Sequence, residues 1–427
     1  MTASSPPDSA PHRVRTLCLC TLLHAFTHLY NVAFIPLYLL IRQDLGLASV
    51  AQATLLETVM MIAYFGPSYP MGVLADRVSR KQLLGWGLVI NAVGFIGLGL
   101  APNYATALAC AIVAGLGGSF YHPAATALIA RSFPANTGRA LGLAGVGAGA
   151  GFFVGPLYAG WRASTAGWRA PMLELGLAGL AAVALFLWLA EEQPVAGRSG
   201  EAVKARRQTP IFPTPALWGL FLLAAALLSL RDFSGSSMSS LGSLFLQHAR
   251  GFDLRTTGLA VSLLFIAAMI SNPLFGHLSD RGRTGWIAFV LVVAAGCIVV
   301  FPRLPGAWTM PGLMVYGFFF MASYPMVEAA LMQAVPDAVR GRVYGLFITV
   351  GGLLGNLAHW QAGVWVKRLG PAADRPDGYF GIYALIGGLV LLSLGALPCL
   401  SALRRREGLV EPQGGNPVAV AVRARAD

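Results

Sequence analysis

The sequence predicts an all-α membrane protein of twelve transmembrane helices, arranged as two pseudo-symmetric six-helix bundles. Three observations lead there. Hydrophobic residues make up 56% of the 427-residue chain and charged residues only 11%, against roughly 25% charged in ordinary soluble domains. The apolar stretches reach about 20 residues or more, the length that crosses a ~30 Å hydrocarbon core. A short glycine–acid–base motif between the second and third stretches returns between the eighth and ninth.

Residues 1–15 form a polar N-terminal segment containing proline. The first apolar run, 16–41, is too long for a signal-peptide core and contains two histidines, so it reads as a retained helix. Stretches at 50–75, 82–101, 104–131, 138–162 and 170–190 complete a first bundle over 16–190. Residues 191–215, which begin EEQPVAGRSGEAVKARRQTP, show no apolar periodicity and read as a flexible cytoplasmic connector. A second bundle spans 216–403, with stretches at 216–247, 256–279, 285–304, 308–334, 340–366 and 377–403; a tail follows over 404–427. The 51 glycines fit membrane helices, which use small residues for close packing.

The formal charge of +12 is scattered between apolar segments rather than gathered on one soluble domain, which argues against nucleic acid as a partner. It carries topological information instead. With a cytoplasmic N-terminus, twenty Lys and Arg residues fall on the cytoplasmic side and nine on the other. This places both termini inside a multi-pass inner-membrane protein. The five cysteines suggest neither a disulfide framework nor a zinc site. A G-x-x-x-x-G-K-[ST] loop and a nucleophile elbow are both missing, so neither ATP drive nor an enzyme is expected and no cofactor is implied. The expected partners are the lipid bilayer, protons and a small-molecule substrate, with the chain acting as a monomer.

The internal repeat organises the chain. Gly72-Val-Leu-Ala-Asp76-Arg77-Val-Ser-Arg80-Lys81 is matched 204 residues later by Gly276-His-Leu-Ser-Asp280-Arg281-Gly-Arg283. His122-Pro123 matches Tyr324-Pro325, Phe133-Pro134 matches Val335-Pro336, and Gly138-Arg139 matches Gly341-Arg342 at offsets of 202 to 203. One duplicated six-helix unit explains all of these, and two parallel repeats are the architecture of a rocker-type secondary transporter.

The 72–81 stretch resembles the loop signature of the major facilitator superfamily, with Ser79 where glycine is common and a second copy one residue shorter. The resemblance implies that Gly72, Asp76, Arg77, Arg80, Lys81, Asp280 and Arg281 tie neighbouring helices on the cytoplasmic face and bias a conformational switch. In the fifth helix, Gly147-x-x-x-Gly151-x-x-x-Gly155-Pro156-x-x-x-Gly160 is similar to the glycine–proline motif of proton-linked antiporters in that superfamily. Physically, glycines four apart give a smooth contact face and Pro156 removes a backbone bond. Thr27-His28-Leu-Tyr-Asn31, the segment Gly115 to Pro123, and the glycine–proline helix together look like the fosmidomycin-resistance efflux group. The carboxylates expected there are replaced by Val32 and Ala124.

Ionisable residues inside a span mark candidate function, because an unpaired charge at the bilayer centre costs roughly 3 kcal/mol even on a lenient scale. Glu57, Arg231, Asp232 and Glu328 stand well inside apolar stretches and are expected to face a central cavity or a partner. Arg231 and Asp232 are adjacent on a helix and point about 100° apart, so each is expected to have its own partner. Arg231 suits a carboxylate or phosphonate, and Asp232 suits a proton. The hydroxyl-rich Ser234–Ser240 run is expected to be broken or mobile. His24, His28 and Asn31 share one stripe of the first helix, with Tyr121 and His122 facing the same cavity. These groups suit proton or substrate contact; two histidines four apart also suit a transition metal, although no metal site is assigned. Asn356 and His359 complete the candidate set. The expected function is alternating-access transport, as proton-coupled antiport exporting a small organic compound, an anion being one candidate class. The alternative is an importer of a metabolite, metal ion or metal complex using the membrane-embedded histidines.

Overall fold

The computed structural model describes residues 10–75, 77–192, 210–280, 282–336 and 339–407, and their regular structure is helical. The first half contains α1 (Pro11–Asp44), α2 (Val50–Phe65 continued by Ser68–Ala75), α3 (Arg80–Leu100), α4 (Tyr104–Gly118 continued by Tyr121–Ser132), α5 (Thr137–Ala166) and α6 (Arg169–Leu189). The second contains α7 (Pro215–His248), α8 (Leu254–Ile266 continued by Ala268–Leu278), α9 (Arg283–Val300), α10 (Thr309–Gln333), α11 (Arg340–Leu369) and α12 (Phe380–Ser393 continued by Ala396–Glu407).

Ten of these helices are long and apolar enough to cross a membrane on their own. The two that are not have local reasons. A break at Gly66–Pro67 divides α2 into pieces of 16 and 8 residues. Helix α11 carries Arg340, Arg342, Lys367 and Arg368 at its ends and Asn356 and His359 within. Both pack against each other between the halves, where protein rather than lipid is their solvent and lower apolarity is tolerated.

The neighbour pattern of one half recurs in the other. Helix α1 packs on α5 as α7 packs on α11, α2 on α4 as α8 on α10, and α3 on α6 as α9 on α12. Between the halves, α2 meets α11 and α5 meets α8. The glycine–proline helix α5 serves two contacts at once. Methyl groups added at Gly147, Gly151 and Gly155 would collide with the backbone of α1 at Thr21, Ala25 and Leu29. On another face, Pro156 and Gly160 lie against Gly258 of α8, again with backbone touching backbone.

Helix ends are fixed by conventional caps. Ser49 and Gln52 make a capping box on α2, Asn103 accepts from the Thr106 N–H, and Thr214 precedes a proline at the start of α7. Asp253 caps α8 at 2.7 Å from the Thr256 nitrogen, a bond that holds its carboxyl below the usual carboxylate range.

Two expectations change here. The Ser234–Ser240 run is neither broken nor separated, because α7 is continuous from Pro215 to His248. Ser234 Oγ donates to Leu230 O (2.8 Å) and Ser239 Oγ to Gly235 O (3.3 Å), so hydroxyls that favour breaks in water satisfy themselves within the helix. The connector's first residues are also docked rather than loose. Glu191 pairs with His12 and Arg15 at 2.6 Å each. The flexible stretch expected beyond Glu192 falls largely on 193–209, outside the described residues.

Candidate functional site

Two polar clusters stand near the middle of their helices, one in each half. In the first, His24 and His28 lie one turn apart on α1, and α4 brings Tyr121 and His122 against them. His24 Nε2 and His28 Nε2 are 3.1 Å apart, and His24 Nδ1 is 2.8 Å from the Ala144 carbonyl of α5. The His122 ring centroid lies 5.2 Å from that of His24 and 5.4 Å from that of His28. Tyr121 stacks on His24 at 4.5 Å while its hydroxyl donates to Cys20 O. Phe152 of α5 covers His28 at 4.4 Å and stacks across the halves on Phe265 of α8 at 4.9 Å.

The second cluster is built on α7 and α10. Arg231, only 1% exposed, donates from Nη2 (2.7 Å) and Nε (3.1 Å) to one oxygen, Oδ1, of Asp232. Its Nη1 approaches Ser323 O at 3.4 Å, and its guanidinium carbon sits 4.2 Å from the Tyr324 ring centre. This overturns the expectation of separate partners. The 100° between neighbouring Cβ directions separates short side chains, but the Arg231 side chain is long enough to curl back over its neighbour. Asp232 packs on Gly351 and Gly355 of α11, which leave room for it. Glu328, one turn below Tyr324, lies within bonding reach of Tyr344 on α11.

The clusters occupy equivalent places in the duplicated unit. His28 and Arg231 are 203 residues apart, and His122 and Tyr324 are 202 apart. One half answers an imidazole with an imidazole; the other answers a guanidinium with a phenol ring. Tyr64 of α2 connects them, lying 6.3 Å from His122, beside Asn31, and close to Tyr344.

Asn356 and His359 belong to a different structure, a hydrogen-bonded seam toward the face opposite the termini. Tyr38 and Ser240 hydroxyls meet at 2.9 Å, and Ser240 Oγ is 2.6 Å from His359 Nδ1. His359 Nε2 lies 3.0 Å from Asn356 Oδ1. Thr58 Oγ1 donates to Asn356 O (3.1 Å) and accepts from the Trp360 N–H (2.9 Å). Ser243 Oγ donates to Ile35 O at 2.7 Å, and Arg255 Nε donates to Ser164 Oγ at 2.7 Å. These bonds close the two halves on each other at that face.

Glu57 departs from expectation. It is 0% exposed and neither carboxylate oxygen has a hydrogen-bond partner among the described residues. Its side chain lies close to Tyr38, and it forms no ion pair among the described residues.

Of the expected switch residues, Asp76 and Arg281 lie outside the described residues. Gly72 falls in the last turns of α2, Arg77 is exposed, and Asp280 pairs with Arg283 at 3.2 Å. Sequence reasoning missed Glu192. Its carboxylate accepts from Ser79 Oγ (2.5 Å), the Arg80 N–H (2.9 Å) and the Lys81 N–H (3.0 Å), and it faces the Arg80 guanidinium at 3.9 Å. Glu192 therefore satisfies the open N-terminus of α3. The pair Glu191–Glu192, just past an apolar stretch and expected on the same side of the membrane as the 72–81 motif, was the available signal.

A duplicated bundle with polar groups inside its apolar helices is the arrangement of a membrane-embedded transporter. The family model described as Major Facilitator Superfamily matches residues 17–359, and the chain belongs to that superfamily. It is 27% identical over 344 residues to the multi-drug resistance efflux pump PmrA of Streptococcus pneumoniae, covering 77% of this chain and 83% of the relative. It is 26% identical over 333 residues to the multidrug resistance protein MdtG of Serratia proteamaculans, covering 75% and 77%. A bacterial homolog of the human lysosomal transporter Spinster, solved in an inward-facing and unoccupied conformation, superposes with a TM-score of 0.74 at 17% identity. That match covers 95% of this chain and all of the other.

Proposed function

We propose that this chain is a proton-coupled antiporter that exports a small organic compound by alternating access, with Asp232 as the group that proton and substrate share. The observation that carries the proposal is the asymmetry of the Arg231–Asp232 pair. The arginine side chain is 2% exposed while the aspartate side chain keeps 18%, and both arginine donors use one oxygen. The anchor is buried and the titratable partner is within reach of water.

Ionised, the pair is neutral. A compound presenting a cationic or hydrogen-bond-donating group to Asp232 competes with the proton for it, and that mutual exclusion is what antiport requires. An anion behaves oppositely: it binds Arg231 best when Asp232 is protonated and so travels with the proton. The Arg231 fork thus favours, as a second reading, cotransport of a carboxylate or phosphonate. Export is supported by the name of one relative, a multi-drug resistance efflux pump, and by the multidrug resistance named for the other. With both termini cytoplasmic, the closed seam lies on the outer side, the arrangement from which an exporter would load.

The test is uptake of candidate drugs into inside-out vesicles under an imposed pH gradient. Antiport predicts accumulation that drives proton efflux and disappears when the gradient is collapsed. Uptake that ignores the gradient contradicts the proposal, and accumulation accompanied by proton entry supports the cotransport reading instead.

A further inference from the structure

We propose that His24, His28 and His122 form a binding site for a divalent first-row transition-metal ion of the zinc, nickel or copper class. The three imidazoles come from two helices of the same half and offer nitrogens that all lie within 4.8 Å of one another. A tetrahedral ion with Zn–N bonds of about 2.0–2.1 Å would hold its nitrogens about 3.4 Å apart. His24 and His28 are already at 3.1 Å, and a side-chain rotation of His122 closes the other two edges.

Two details point to an ion rather than to a packed aromatic cluster. His24 Nδ1 sits 2.8 Å from the Ala144 carbonyl and so carries the proton, which turns the lone pair of Nε2 into the cluster. A backbone carbonyl fixing the tautomer in this way is the arrangement that supports metal-bound histidines. His28 Nε2, meanwhile, faces His24 Nε2 at 3.1 Å, so an ion between these two nitrogens would replace the present imidazole–imidazole contact. His122 is the exposed member, so water and ions reach the site from its side, leaving a fourth coordination position open there. The contacts described for these rings are with one another, Ala144, Tyr121, Tyr64 and Phe152, none of them acidic. An ion bound here therefore keeps positive charge for an anionic fourth ligand. Three imidazoles suit zinc, nickel and copper and are poor ligands for magnesium or calcium.

The experiment uses the full-length chain, with any affinity tag removed, stripped of metal and titrated calorimetrically with zinc or nickel chloride. Cobalt(II) serves as a visible-absorption probe of coordination geometry. The proposal predicts one ion per chain, a tetrahedral cobalt spectrum, no response to magnesium, and affinity lowered more than about tenfold in both His122→Ala and His24→Ala. His24 also bonds Ala144, so metal-free melting curves accompany each variant. Should His24→Ala fail to fold, His122→Ala on the exposed side decides alone. Saturable binding that survives His122→Ala, or its absence in the wild-type chain, overturns the proposal.

Discussion

Arg231 reaches Asp232 because six side-chain atoms outrun the angle between adjacent residues, and that reach fixes what substitutions should do. Asp232→Ala leaves a buried guanidinium without its carboxylate and should lower stability by roughly 3 kcal/mol. Asp232→Asn keeps an oxygen at the same place and should cost much less. Equal melting temperatures for the two variants would contradict the pairing. Glu57 makes the opposite prediction. Its oxygens are buried and without a hydrogen-bond partner among the described residues, and leaving such a group unsatisfied costs about 1–3 kcal/mol. Glu57→Met should therefore stabilise the protein, and a loss of stability would show that the carboxyl has a partner. Glu192→Ala leaves the cap residue Ser79 but removes the acceptor of the Arg80 and Lys81 N–H groups, and should cost about 1–2 kcal/mol by thermal unfolding. At this scale the sequence identified Arg231, Asp232 and the histidines as membrane-embedded polar groups, but not their partners. The pairing depends on side-chain reach, and the Glu57 environment on the rotation of α2. Glu192 lay just outside any periodic segment.

Helix boundaries were readable because hydrophobic thickness dictates them: the expected stretch 104–131 is the span Tyr104–Ser132, and 170–190 is Arg169–Leu189. The Ser234–Ser240 run was misread because helix propensity in water is the wrong scale where hydroxyls bond back to their own helix and across to α11 and α1. The role of the glycines in α5 was legible as close packing; that they press on α1, the helix carrying His24 and His28, required the fold. Gly151→Leu should separate α5 from α1 and lower stability by at least about 1–3 kcal/mol. Gly145→Leu, where the space beside the residue is open, should leave the melting temperature nearly unchanged. Equal effects from the two would contradict the contact.

For the whole molecule, the duplicated motifs correctly announced two equivalent bundles, and offsets of 202 to 203 residues place the histidine and arginine clusters at matching depths. What the repeat could not show is which face the halves close. That is decided by Tyr38, Thr58, Ser240, Ser243 and His359, polar residues unremarkable one by one. Spin labels on the variants Ser164→Cys and Arg255→Cys, at the closed face, should report a short distance at rest. A longer population should appear as the transporter cycles, and a single invariant distance would argue against rocking at that seam. The central claim is that Asp232 carries the proton exchanged for substrate. The direct measurement compares Asp232→Asn with wild type in the same vesicles, reading gradient-driven accumulation and substrate counterflow side by side. The account predicts that gradient-driven accumulation is lost, while counterflow, which needs no net proton movement, survives only at raised substrate concentration because the substrate has lost the charge of its partner. Accumulation retained at the wild-type level would contradict it.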